Sequence, residues 1–209
     1  MRDLRVCVFG DSLVAGVGDS TGLGWVGRVA ARSRDTVASR GTDAELTVYP
    51  LGVRGESTEE IVVRIPLESA ARFARGGEHR IVISAGVNDA QRQIPPARSA
   101  AALEFGLGST TVPALVVGPP PLGDAALTAR IVMVDEAFAG VCDRRGIPYI
   151  SVYDRLLRRP TWRRATSGDG IHPDRTGYAM LSRIVFDAGW STWLSTAPPE
   201  LPDEKAAAR

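Results

Sequence analysis

The chain holds only two histidines, His79 and His172, so few places exist where an imidazole could take a proton near neutral pH. His172 stands in Asp169-Gly170-Ile171-His172-Pro173. An aspartate on the same loop can fold back and accept a hydrogen bond from the ring. That contact selects the tautomer and stabilises the imidazolium, as a histidine base in a triad requires. An equally available reading of this local pattern is a loop histidine capped by its neighbour. The matching nucleophile is Ser12 in Gly10-Asp11-Ser12-Leu13, which follows a short apolar run. A serine in a tight strand-to-helix turn presents its hydroxyl at the edge of a sheet, beside the unpaired N–H groups of the helix start. Its hydroxyl is a weak nucleophile until a base takes the proton. Acyl transfer by such a pair also needs donors aimed at the oxyanion. Gly55, in Gly52-Val53-Arg54-Gly55-Glu56-Ser57-Thr58, has no side chain to block its N–H, and Asn88, in Gly86-Val87-Asn88-Asp89, offers an amide. Taken singly, each is an ordinary turn in which glycine serves a positive φ.

Residues this far apart in sequence meet only if a fold gathers them. Five short apolar runs closed by Gly or Pro lie at residues 5–9, 46–49, 80–84, 114–117 and 147–152. Such runs are what strands buried on both faces look like. Helical patterns lie between them, at residues 25–33, 57–75, 96–107, 124–145 and 174–188. The second is expected to break near Pro66, because proline removes a helix donor. Asp124 can cap the start of the fourth and Gly146 can stop it, while the fifth opens at Asp174. Strand–helix alternation implies an α/β fold, a parallel sheet with helices on both faces. Ligands of such sheets bind at the carboxyl ends of the strands, where Ser12, Gly55 and Asn88 all fall. His79, just before the third strand, is expected at the opposite end as a surface turn residue.

The four pieces, in order, resemble the sequence blocks of the GDSL/SGNH hydrolases: Gly-Asp-Ser-Leu at Ser12, the glycine of the second block at Gly55, Gly-Val-Asn-Asp at Asn88, and Asp-Gly-Ile-His at His172. The resemblance spans almost the whole chain ahead of its C-terminal stretch. It implies a three-layer αβα sandwich, flavodoxin-like, with five central parallel strands. It implies Ser12 as nucleophile, His172 as base and later acid, and Asp169 as the residue that orients His172. The Ser12 N–H, the Gly55 N–H and the Asn88 side chain would form the oxyanion hole. It implies neither metal nor organic cofactor, and a small-molecule carboxylic ester as substrate. The chain departs from the family at Pro50, where members often carry the asparagine of N-x-G-x-x-G.

Two further matches are set aside. Gly18-Asp19-Ser20-Thr21-Gly22 fits G-x-S-x-G and Gly22-Leu23-Gly24-Trp25-Val26-Gly27 fits G-x-G-x-x-G, but neither directly follows a strand as its motif requires. Two rivals to an esterase therefore stand: a non-catalytic flavodoxin-like binding module, and a nicotinamide-dependent oxidoreductase built on the glycine-rich stretch. The 209 residues suit one domain, expected at residues 1–192, with a flexible tail at 193–209. A net charge of +1, from 25 basic and 24 acidic side chains, creates no field that would draw in nucleic acid. Arg158, Arg159, Arg163 and Arg164 cluster, either as a solvated surface or as an anion-binding rim. Cys7 and Cys142 show no metal-ligand spacing and suggest no disulfide framework. No apolar run reaches the length of a membrane span. With no leader visible before the first strand, a cytoplasmic location is expected. No heptad seam or exposed strand edge suggests an oligomeric state, and no lid-like apolar insertion is evident, which favours short acyl chains.

Overall fold

The computed structural model describes residues 2–39, 44–166 and 168–196. Five strands form one sheet: β1 (Arg2–Gly10), β2 (Ala44–Gly52), β3 (Glu78–Ser84), β4 (Ala114–Val117) and β5 (Tyr149–Ile150). Every neighbouring pair is parallel and the order is β2-β1-β3-β4-β5. Successive strand residues point to opposite faces. Val6, Cys7, Val8 and Phe9 are all fully buried, as are Ile81, Val82 and Ile83, so both faces of the sheet are covered. The expected α/β architecture with a five-stranded parallel sheet is what the chain adopts. The fifth strand is shorter than its apolar run, two residues of the six at 147–152.

The helices keep the expected order with shifted ends. A short α1 (Ser12–Ala15) follows β1, and α2 (Gly24–Ser39) comes next. The long pattern after β2 divides into α3 (Thr58–Val63) and α4 (Ile65–Phe73), with Pro66 in the first turn of α4, where its missing N–H costs nothing. Next come α5 (Val87–Gln91), α6 (Pro96–Gly108) and α7 (Ala125–Arg145). Asp124 caps α7 by accepting from Leu127 N, and Gly146 ends it in a left-handed conformation. Then follow α8 (Tyr153–Leu157), α9 (Pro160–Ala165) and α10 (Arg175–Val185), capped by Asp174. The helical path continues through a π turn at Phe186–Trp190 into α11 (Ser191–Ser195). Trp193 and Leu194 are buried, so the part of the expected tail at 193–196 packs on the body, and residues 197–209 lie outside the described residues. α2 packs against α10, while α3, α6 and α7 pack in a row.

Register decides what these strands present. Gly10 lies opposite both Gly52 and Ser84, so β1, β2 and β3 end on one line. The line falls where the chain order reverses, β2 and β3 flanking β1, which is the position at which open α/β sheets hold ligands. Close approach there requires glycine. A Cβ on Gly10 would run into the Val14 side chain and the Ser84 carbonyl, and one on Gly52 into the backbone of Asp11 and Ala15. His79 is not a turn residue ahead of the strand. It lies inside β3, half-buried, stacked on Phe73 with ring centroids 4.3 Å apart, at the end of the sheet away from Ser84. Cys7 and Cys142 are both buried free thiols, and burial pushes each up to about 12, so they pack as small apolar side chains.

Candidate active site

Ser12 opens α1 immediately after β1, with Asp11 as its N-cap. The Asp11 carboxylate accepts from Leu13 N at 2.9 Å, and Gly16, at φ 76°, ends the helix after one turn. Ser12 is thereby held at the carboxyl edge of the sheet with its hydroxyl facing a pocket of about 290 Å³. Gly55 and Asn88 line the same pocket from the ends of β2 and β3, and Ile171 and His172 close it.

His172 reaches Ser12 because the loop before α10 is tied from several sides. Asp174 N donates to Ala165 O, Gly123 N donates to Gly170 O, and Tyr178 Oη donates to Val17 O at 2.8 Å. Tyr178 is fully buried, so this last bond fixes α10 against the loop that leaves α1. Gly18, at φ 92°, lies directly under the histidine: a Cβ there would sit 2.8 Å from Pro173 O and 3.2 Å from His172 Cβ.

Three side chains form a hydrogen-bonded chain. His172 Nδ1 lies 2.5 Å from Asp169 Oδ2, and His172 Nε2 lies 2.9 Å from Ser12 Oγ. A carboxylate can only accept, so Nδ1 carries the proton and Nε2 is left to accept from the serine hydroxyl. Asp169 is itself fixed: its Oδ1 accepts from His172 N at 2.7 Å and from Ile171 N at 2.9 Å. The His172 backbone N–H, then the imidazole, hold the Asp169 carboxyl well below the usual carboxylate range. An anion held in this way can stabilise an imidazolium beside it.

The donor side of the pocket holds a feature the sequence did not announce. Asn88 Nδ2 donates to Asp11 Oδ2 and to Glu56 O, both at 3.0 Å, so both amide hydrogens are engaged in the resting site. Asp11 is 2% exposed, and burial pushes its carboxyl up to about 6. The signal for Asp11 was present in the sequence, as the residue before the serine and a natural N-cap, but its contact with Asn88 spans elements and could not be read locally. Gly55 sits at φ 80° with open space around the place a Cβ would take, so its N–H is held by backbone conformation and not by crowding. Arg64 braces the loop: it ion-pairs with Glu56 at 2.7 Å and donates to Leu51 O at 3.2 Å. Asp89, also buried, accepts from Thr58 N and Oγ1, tying α3 to α5 beneath the pocket.

The set-aside motifs are loop structure. Ser20 is exposed in a turn, whereas Asp19 beside it is buried. Burial opposes ionisation of Asp19, but Arg28 and Thr21 outweigh it and hold the carboxyl well below its usual value. The glycine-rich stretch opens α2 at Gly24 after a turn, with no strand before it. Arg158, Arg159, Arg163 and Arg164 are exposed on α9 and the turn before it, and none lines the Ser12 pocket. Arg163 instead lines a separate cavity of about 740 Å³ with Leu122, Val132, Tyr153 and Trp162. That cavity is larger, but none of Ser12, Asp169 or His172 lines it, so size does not locate the chemistry. Among the described residues no three His, Cys, Asp or Glu side chains gather to hold a metal, and no helix is long and apolar enough to cross a membrane.

Residues 8–180 match the GDSL-like Lipase/Acylhydrolase family. No curated protein matches the chain. Among solved structures, a lipase/acylhydrolase from Enterococcus faecalis is 24% identical, with 90% of this chain and 94% of that one covered and a TM-score of 0.68. Est24, a carbohydrate acetylesterase from Sinorhizobium meliloti, is 18% identical over 90% and 97%, with a TM-score of 0.66. A catalytic mutant of Axe2, an acetylxylan esterase from Geobacillus stearothermophilus, is 15% identical over 94% and 97%, with a TM-score of 0.70. At these identities the structural likeness speaks to the fold.

Proposed function

The chain belongs to the GDSL-like lipase/acylhydrolase family and is a hydrolase of ester bonds, and from that premise we propose a serine esterase that cleaves short acyl groups, acetyl above all, through an acyl-enzyme on Ser12. The observation that carries this reading is the unbroken hydrogen-bond chain from Ser12 Oγ through both nitrogens of His172 to Asp169. In the proposed cycle His172 Nε2 takes the serine proton as Oγ bonds to the ester carbonyl carbon. The oxyanion is met by the N–H groups of Ser12 and Gly55 and by the Asn88 amide, which shares the hydrogen it otherwise gives to Glu56 O. Collapse breaks the carbon–oxygen bond to the alcohol, and His172 returns the proton to that leaving oxygen. Water, deprotonated by His172, then attacks the acyl carbon, and the acid leaves as the serine recovers its proton.

The short-acyl preference is supported by the small, open pocket at Ser12 and by the printed names of two structural relatives, an acetylesterase and an acetylxylan esterase. In a chain-length series, kcat/KM is expected to fall as the acyl group lengthens. A rise towards long acyl chains would replace this substrate reading.

The decisive experiment is intact-mass spectrometry after exposure to a fluorophosphonate. Wild type and Ser20→Ala are expected to gain one adduct and Ser12→Ala none. A folded wild type that gains no adduct would favour a binding module without catalysis.

A further inference from the structure

Arg54 is the one charged side chain, apart from an imidazole, among the residues that line the Ser12 pocket. It is exposed and makes no hydrogen bond or ion pair among the described residues. The pocket lining, which includes Gly55, Asn88 and Gln91 with Ser12 and His172, contains no carboxylate.

Every carboxylate nearby in the fold is committed elsewhere. Glu56 pairs with Arg64. Glu60 accepts from Ser57 and pairs with Arg92, and Glu59 pairs with Arg98. Asp89 is occupied by Thr58, Asp11 by Leu13 N and Asn88, and Asp169 by His172. Arg54 is therefore an uncompensated cation next to the reacting serine, on a loop whose neighbours are pinned by Arg64 and Asn88. Guanidinium is always charged and presents a planar fork that fits carboxylate and phosphate oxygens.

We propose that Arg54 makes this esterase selective for esters that carry an anionic group, a carboxylate or a phosphate, close to the scissile bond. The inference rests on Ser12 and His172 being the reacting pair proposed above. The ester's charged end would lie against Arg54, with Gln91 beside it, while its carbonyl meets Ser12. Arg54 acts here on specificity and takes no part in proton transfer.

The test compares kcat/KM within three matched pairs of esters, each anionic member against its neutral partner. They are para-nitrophenyl hydrogen adipate against the hexanoate, para-acetoxybenzoate against para-acetoxybenzamide, and para-acetoxyphenyl phosphate against its dimethyl ester. In wild type at least one anionic member is expected to exceed its partner by about fivefold or more, as a charge-assisted contact allows. That preference should collapse in Arg54→Ala, survive in part in Arg54→Lys, and shrink as sodium chloride is raised, because an exposed charge is screened. The pair that responds tells whether the anion sits on the acyl side, on the alcohol side, or is a phosphate. No preference in any pair, or a preference that persists in Arg54→Ala, overturns the proposal. Ser12→Ala is assayed alongside on the neutral esters. Turnover that survives Ser12→Ala would overturn the reading of the site itself, whereas Ser12-dependent turnover without anion preference overturns only the role of Arg54.

Discussion

Asn88 and Asp11 form a pair whose two members answer to different measurements. Asn88→Ala removes a proposed oxyanion donor, and the loss of one such donor costs about 3 kcal/mol in the barrier, on the order of a hundredfold or more in kcat. KM should move little, and an unchanged kcat would take Asn88 out of the mechanism. Asp11 answers to pH. Burial pushes its carboxyl up to about 6 in the folded chain, above the ordinary aspartate value of about 3.9. Between those values the folded state binds more protons than the unfolded one, so the contribution of Asp11 to stability falls as pH rises through that window. Protonation also takes an acceptor away from Asn88. Acidification thus protonates Asp11 beside the Asn88 amide. The acid limb of kcat/KM is expected to be less steep in Asp11→Asn than in wild type. A limb equally steep in both would exclude Asp11 from the ionisations that control the rate.

The loops that hold the reacting groups are set by how elements meet. α1 can lie across the ends of β1 and β2 only because Gly10 and Gly52 lack side chains. The His172 loop can lie on the turn after α1 only because Gly18 does. Gly18→Ala would force a side chain into a left-handed backbone at φ 92° and against the Pro173 carbonyl. The expected result is a loss of about 1–2 kcal/mol of stability, together with a fall in kcat larger than global unfolding accounts for, since His172 is displaced from Ser12. Denaturant unfolding and kcat measured on the same preparation check both parts. Activity lost only in proportion to the unfolded fraction would show that Gly18 does not position the base. None of this packing is visible in the run Gly16-Val17-Gly18, which reads as an ordinary loop.

The molecule as a whole separates its chemistry from its anchor. At the end of the sheet away from Ser12, Arg80 is fully buried in β3. It pairs with Glu78 at 2.5 Å, donates to the carbonyls of Trp193 and Thr196, and lies over the Trp193 ring. This cation fastens α11 to the start of the sheet, which is why the chain stays packed beyond the boundary at residue 192 that composition suggests. Removing it takes one of two cations from Glu78, which Arg2 still holds, and a charged donor from the two carbonyls, so Arg80→Ala is expected to cost about 1.5–3 kcal/mol in denaturant unfolding. Activity per folded molecule should hold, because no site residue contacts this cluster. A variant of wild-type stability would mean that α11 is fastened by its apolar contacts alone.

The sequence by itself determined the parallel α/β order, the caps at Asp124 and Asp174, and the identity of Ser12, Asp169 and His172 as one candidate set. Those features are local: apolar runs closed by glycine, capping side chains, and a histidine on the same short loop as its aspartate. Residue chemistry and near-neighbour geometry suffice for the strand–helix order and the caps, whereas grouping Ser12 with Asp169 and His172 is what the resemblance to the GDSL/SGNH sequence blocks implies. Only the tertiary structure decided that Ser12 Oγ and His172 Nε2 stand within hydrogen-bond distance, across 160 positions of chain. It likewise decided that Asn88 is held by Asp11 and Glu56, that His79 belongs inside β3 against Phe73, and that Arg54 lines the Ser12 pocket with no ion pair among the described residues. These depend on strand register and on which helices share a face. Both arise from the simultaneous burial of the whole core, and no short stretch of sequence carries them.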